Sequence, residues 1–274
     1  MANDGADHYL DVNGLRLHYV EWGDRAAPPL LLLHGMASFA RIWHLIAPAF
    51  AADYRVLALD WRGHGDSAWA PSGEYRYQRY LSDLDGLISA LALDDLAIVG
   101  HSLGAWIALC YAGQAPERLR ALVAADFRIG FTPEELEQAR AQSRRPPRDF
   151  ATAAEILDRF AASLAPVAAS DALIRRLGQH AVKQNAAGRW AFKFDRAALA
   201  AAPFDPWPLF SSLRVPILAL RGAQSPLMSH DAIVRVGQTI PGVRIAAIAG
   251  AYHHPFLDRP DPFIRAVASF LRDV

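Results

Sequence analysis

The chain has 274 residues, enough for one large domain or two small ones. Its 28 Lys and Arg balance 28 Asp and Glu, so it lacks the cationic surplus with which a nucleic-acid binder displaces phosphate counterions. Hydrophobic residues make up 53 %, which implies a substantial core, and the single cysteine, Cys110, excludes an intramolecular disulfide or a multi-cysteine metal cluster.

The first eight residues are polar and acidic, without the basic and apolar regions of a signal peptide, and no stretch approaches 18 apolar residues. The expectation is a soluble cytoplasmic protein. His8–Val12 and Leu15–Trp22 flank Asn13-Gly14, the pattern of a hairpin with a type I′ turn. Apolar runs then follow at Leu30–Leu33, Arg55–Leu59, Leu96–Val99 and Leu119–Ala125. They stop at His34-Gly35, Asp60, Gly100 and Asp126. Short apolar runs that end in this way suit strands buried on both faces of a parallel sheet. Helical patterns at Tyr80–Leu91 and Ala105–Ala112 lie between them.

From 130 to about 204 the rhythm breaks. Thr132-Pro133-Glu134-Glu135 reads as a helix start, and Thr152-Ala153-Ala154-Glu155 as a capping box. Arg144-Arg145-Pro146-Pro147-Arg148 between them is a basic linker, read with Arg140 as a solvated face. The segment is expected to be an all-helical insertion. Strand-like runs return at Val215–Leu220 and Val243–Ile248, around a helical pattern at Asp231–Gln238. The whole predicts an α/β fold: a doubly wound, mostly parallel sheet built from 1–129 and 205–274, with a helical cap, 130–204, inserted after the strand ending at Asp126.

Gly100-His101-Ser102-Leu103-Gly104 carries the chemistry. A serine between glycines, after a strand and before a helix, forms a strained turn that thrusts its hydroxyl above the sheet edge. A hydroxyl needs a base to take its proton. Among the ten histidines, His34, His64 and His101 lie in loops near strand ends, as do His253 and His254 after the last strand-like run. Loops at the carboxyl ends of strands converge where ligands bind, which favours the 253/254 pair. Imidazole, with an ordinary pKa near 6.5, suits proton exchange near neutrality.

Four segments together resemble the α/β-hydrolase superfamily. They are His34-Gly35 after the leucine run, Asp60-Trp61-Arg62-Gly63-His64-Gly65-Asp66-Ser67, the Gly100–Gly104 elbow, and Gly250-Ala251-Tyr252-His253-His254-Pro255. The resemblance implies that Ser102 is the nucleophile and His253 the base, with His254 in a variable position. It also implies that the backbone N–H groups of Met36 and Leu103 form the oxyanion hole. The sequence departs from the pattern at the acid: where the family usually has an aspartate it has Gly222-Ala223-Gln224-Ser225, followed by Pro226. Asp126 at the preceding strand end is the best substitute, since some members take their acid there. A structural anchor for the cap is its competing role, Asp231 reads as a helix-opening residue, and a Ser–His dyad is the remaining alternative.

The resemblance thus implies a serine esterase, a carboxylic-ester hydrolase acting on a small or medium hydrophobic substrate, with the catalytic set Ser102, His253 and Asp126. It calls for no cofactor and no metal. Its partner is a small-molecule ester, with no nucleic acid, no membrane, and a homodimer left open. The alternatives on the same scaffold are a cofactor-free dioxygenase, a C–C bond hydrolase, or a non-catalytic ligand-binding homologue. Gly63–Ala68 matches a dinucleotide fingerprint but runs into a loop instead of the helix that would receive a pyrophosphate. No metal-ligand spacing accompanies His253-His254 and His34. Cys110 reads as a buried small hydrophobe, and Trp43, Trp61, Trp106, Trp190 and Trp207 as core or pocket wall.

Overall fold

A computed structural model describes residues 4–71, 73–128, 130–201 and 207–274. β1 (Ala6–Val12) and β2 (Leu15–Trp22) form the hairpin, with Asn13 and Gly14 at φ of 51° and 76°, the paired positive values of a type I′ turn. The remaining strands are β3 (Pro29–Leu33), β4 (Arg55–Leu59), β5 (Leu96–His101), β6 (Leu119–Ala125), β7 (Val182–Gln184), β8 (Trp190–Phe192), β9 (Ile217–Gly222) and β10 (Arg244–Ile248). Eight of them make one sheet in the order β1-β2-β4-β3-β5-β6-β9-β10, antiparallel at β1-β2 and β2-β4 and parallel elsewhere.

Side chains alternate across β3, so the leucine run splits between two cores. Leu31 and Leu33 pack with Leu57, Leu59 and Ile98 against the helices Tyr77–Ala90 and Leu103–Gln114. Leu30 and Leu32 pack with Val56 and Val99 against Trp43, Phe256 and the C-terminal helix Pro260–Arg272. A strand sandwiched in this way has no solvent face, which is why it reads as continuous leucine. The helix Leu103–Gln114 is buried over ten of its twelve residues, so it needs no polar face. Cys110 lies within it, and burial pushes its thiol well up.

Strand order reverses between β3 and β5: β4 lies on one side of β3, and the chain then continues on the other. In open α/β sheets the crevice at such a reversal receives ligands, and here it opens between the loop after β3 and the turn after β5.

The segment from 130 departs from the all-helical expectation. It holds the helices Pro133–Ser143, Ala153–Ser163 and Asp171–Gly178, but also a separate antiparallel pair, β7-β8. Three-residue strands are too short to register as apolar runs. The pair is closed by a turn in which Asn185 Oδ1 accepts from Ala187 N and Arg189 N, both at 3.0 Å, with Gly188 at φ 72°. The capping box is complete at Thr132 and Glu135. At 152–155 it is only half formed: Thr152 caps Glu155 N, but the Glu155 carboxylate accepts from Ala151 N at 3.0 Å. The expected segment boundaries at 129/130 and 204/205 fall on or beside residues outside those described. Among the described residues no helix is long and apolar enough to cross a membrane.

Candidate active site

Ser102 joins β5 to the helix Leu103–Gln114 at φ 52° and ψ −114°. A non-glycine residue at positive φ stores roughly 1–3 kcal/mol and persists only where its surroundings over-determine it. Here Ser102 N donates to Ala125 O at 3.0 Å, and Trp106 N donates to Ser102 O at 3.0 Å. The flanking glycines answer to close backbone approach. A Cβ on Gly100 would lie 2.6 Å from Ala105 N, and one on Gly104 would lie 2.3 Å from Leu33 O.

Asp126 follows β6, also at positive φ (42°), and is fully buried. Its Oδ1 lies 2.8 Å from His253 Nδ1 and accepts from Ser225 Oγ at 2.6 Å, while its Oδ2 accepts from Gly222 N at 2.7 Å. The carboxylate bridges three elements: the end of β6, the end of β9 and the loop carrying His253. The structure therefore brings Asp126 to His253 and leaves Asp231 in the first turn of the helix His230–Thr239. Sequence reasoning noted Ser225 only as a missing acid. Its place as a donor to Asp126 became visible once β6 and β9 were adjacent.

His101 braces His253 from behind, its Nε2–H donating to His253 O at 2.8 Å. Burial, foremost, and the neighbouring His253 and His254 push the His101 pKa well below the usual histidine value. Burial, then His253, takes His254 down to about 3. Both rings are thus neutral at pH 7, and Nδ1 of each is buried without a hydrogen-bond partner. His101, His253 and His254 each offer a nitrogen within 4.8 Å of the others, a set that could surround a cation. His253 Nδ1 and His101 Nε2 are already engaged in the contacts above.

His34 shapes the loop after β3. Its Nδ1–H donates to Gly35 O at 2.7 Å, its Nε2 accepts from Trp61 N at 3.2 Å, and its carbonyl accepts from Trp61 Nε1 at 2.9 Å. His64 donates from Nδ1 to Arg62 O at 2.8 Å and is fully buried. The Asp60 loop is likewise structural. The Asp60 carboxylate accepts from Ala40 N at 2.6 Å and Asp66 N at 2.9 Å, and a Cβ on Gly65 would meet it at 2.2 Å.

Ser102 opens into a mostly apolar cavity of about 210 Å³ that Met36 and Leu103 also line. Its walls come from Tyr77 and Trp106 on the core side, and from Phe131, Leu136 and Leu199 of the inserted segment, with Leu227 after β9. Arg128 is its charged member among the described residues, and it pairs with Glu135. Of the tryptophans singled out, Trp106 is wall, Trp43 and Trp61 are core, and Trp190 is half-buried on β8.

Residues 28–260 match the family described as alpha/beta hydrolase fold, and the chain belongs to it. It is 26 % identical to 2-(acetamidomethylene)succinate hydrolase of Mesorhizobium japonicum, over 98 % of each chain. It is 30 % identical to 3-hydroxybutyrate-oligomer hydrolase of Cupriavidus necator, over 86 % of this chain and 87 % of that one. The crystal structure of E-2-(acetamidomethylene)succinate hydrolase superposes with a TM-score of 0.88 at 25 % identity, over 98 % of this chain and 99 % of that one. The chain is an α/β hydrolase, and these two relatives are hydrolases named for different substrates.

Proposed function

We propose that the protein is a serine hydrolase that cleaves a carboxylic ester of a small or medium hydrophobic substrate through an acyl-enzyme. One observation carries this reading: the fully buried Asp126 carboxylate lies 2.8 Å from His253 Nδ1, beside a cavity into which Ser102 opens. In this mechanism Ser102 Oγ attacks the acyl carbon while His253 Nε2 takes its proton. Asp126 holds the Nδ1–H tautomer and stabilises the imidazolium. The N–H groups of Met36 and Leu103 receive the developing oxyanion, each donor lowering the barrier by roughly 3 kcal/mol. The C–O bond breaks as His253 returns the proton to the departing alcohol. Water, deprotonated by His253, then attacks the acyl-enzyme, releasing the acid and restoring Ser102.

The segment 130–204 acts as a cap, because Phe131, Leu136 and Leu199 form the far wall of the cavity. Apolar walls favour alkyl or aryl groups on the ester. The mechanism calls for no cofactor and no metal, and the same reading assigns the protein to the cytoplasm.

The test is turnover of p-nitrophenyl butyrate together with labelling by a fluorophosphonate. Wild type should be labelled and active, and Ser102→Ala should lose label and about 10³-fold or more of kcat. Wild-type turnover in Ser102→Ala would overturn the assignment. A second reading, a cofactor-free oxygenase in which the His253–Asp126 pair is the base, is favoured by the position of the acid at the end of β6 instead of at Ser225. Oxygen uptake indifferent to Ser102→Ala would select it.

A further inference from the structure

A second cavity, of about 230 Å³, abuts the one at Ser102, and Leu199 lines both. The two share their framing elements. Met36 faces the first cavity and Ala37 the second, while Ala139 and Gln142, one turn apart on the helix Pro133–Ser143, do the same. The second cavity differs in charge: Arg159, Lys193 and Arg196 line it, and among the described residues no carboxylate does.

These cations are not equally committed. Lys193 Nζ is paired with Asp66, at 2.7 and 2.8 Å to its two carboxylate oxygens. Arg159 and Arg196 have no carboxylate within salt-bridge distance among the described residues. Arg196 donates from Nη2 to Gln142 O at 2.8 Å, yet its Nε is buried and finds no acceptor. That Nε is sealed from the cavity, so an anionic oxygen held there would be met by the outer guanidinium N–H groups of Arg159 and Arg196, which line it. Phe160, Phe192 and Phe194 wall the same space, so a charge interaction there is screened less than at the open surface.

We propose that this cavity is an anion subsite: it holds a carboxylate or phosphate at one end of the ester whose carbonyl reaches Ser102. The inference rests on the serine-hydrolase reading and narrows it, making the substrate class an amphiphilic ester with an acidic terminus, such as a half-ester of a dicarboxylic acid. Lys193 stays neutralised by Asp66, and the guanidinium groups of Arg159 and Arg196 supply the charge and the donors.

The experiment compares p-nitrophenyl half-esters of succinate, glutarate and adipate, and phosphate-terminated esters of the same lengths, with uncharged esters of matched length. For wild type, kcat/KM on at least one acidic series should exceed that on the uncharged ester by tenfold or more, and the preference should shrink with added salt. Arg159→Gln and Arg196→Gln should each lower the acidic-to-uncharged ratio at least tenfold, chiefly through KM. Arg159 is exposed and Arg196 braces Gln142, so Arg159→Gln keeps the test decisive if Arg196→Gln fails to fold. Which acidic series is preferred identifies the group. Equal rates on acidic and uncharged esters, or an unchanged ratio in Arg159→Gln, would overturn the subsite. Calorimetric binding of free adipate and of propyl phosphate to folded Ser102→Ala separates the two claims. Binding that Arg159→Gln abolishes supports the subsite even if Ser102→Ala retains turnover and the serine reading falls. No binding of either anion counts against the subsite alone.

Discussion

Ser225 donates its hydroxyl hydrogen to Asp126 Oδ1 at 2.6 Å, on the same oxygen that faces His253 Nδ1 at 2.8 Å. The residue standing where an acid was looked for is thus a hydrogen-bond donor to Asp126, a carboxylate that the neighbouring strand supplies. Parallel pairing of β6 with β9 makes this exchange possible, setting Ala125 opposite Leu220 and so placing both strand ends side by side.

The exchange predicts how substitutions at this pair will behave. Asp126→Asn should lower kcat/KM on p-nitrophenyl butyrate by about 10³–10⁴-fold, because an amide can hold the wrong imidazole tautomer. Ser225→Ala removes one donor and leaves Gly222 N and His253 in place, so a loss of about 3–10-fold is expected. Ser225→Asp sets a second carboxylate against the first, and two such groups cannot both ionise, so activity should fall further than in Ser225→Ala. The double variant Asp126→Asn/Ser225→Asp should regain at least tenfold over Asp126→Asn. A double variant no better than the single one would show that only the end of β6 can serve His253.

The elbow glycines separate folding from chemistry. Gly104→Ala drives a methyl to 2.3 Å from Leu33 O, a backbone atom of the central strand that cannot move aside, so a loss of about 3 kcal/mol or more, or failure to fold, is expected. At Gly35 the methyl would sit 3.0 Å from His101 Nδ1 and 3.0 Å from Ser102 Cβ. Gly35→Ala should therefore fold and lose activity, by about tenfold, as the turn at Ser102 and the loop after β3 are pushed apart. Urea unfolding beside kcat measurements distinguishes the two outcomes, and equal stability losses in both variants would contradict the assignment.

Arg62 and Asp83 form a buried bidentate pair, Nε to Oδ2 at 2.6 Å and Nη2 to Oδ1 at 2.7 Å, with Nη1 on Glu74 O at 2.9 Å. Both side chains are almost wholly out of water, so removing one partner strands a charge. Asp83→Ala should cost about 3–5 kcal/mol, whereas Arg62→Met/Asp83→Leu should cost less than that single change. Denaturant midpoints read this directly, and an additive double variant would refute the coupling.

Acid should unfold the protein before most of its carboxylates titrate. Burial takes His64, and His254 beside His253, down to about 3, and it also lowers His34 and His101. The unfolded chain protonates these rings near 6.5 while the folded chain keeps them neutral. Their stabilisation is therefore complete above about 6.5 and is lost as pH falls toward 3, with a slope of at most about 1.4 kcal/mol per pH unit for each ring. His18 works in the opposite sense. Burial lowers its pKa, but hydrogen bonds to Asp60 and Asp7 outweigh this and raise it, so its contribution fades as pH rises above the ordinary histidine value. Urea unfolding at pH 8, 7, 6 and 5 should show stability falling by about 2 kcal/mol or more from 7 to 5. His64→Asn, which keeps a donor for the Arg62 carbonyl, should flatten part of that slope.

The sequence by itself determined the sheet, the elbow and the hairpin, because each is written in local terms. Runs such as Leu30–Leu33 record burial on both faces, Asn13-Gly14 records a turn that needs two positive φ values, and Gly100 and Gly104 record close backbone approach around Ser102. It also offered Asp126 as the best candidate acid, with a Ser–His dyad as the alternative, without joining it to His253, which is 127 positions further along the chain. Only the tertiary structure decided that contact, the donor role of Ser225, the brace from His101 to the His253 carbonyl, the short pair β7-β8, and the cationic cavity beyond Leu199. The physical reason is common to all five. Strand runs and glycine turns are selected by the backbone conformation of a few consecutive residues. A hydrogen bond between two strand ends, or a charge left unpaired between helices, exists only after packing has fixed which side chains share the same space.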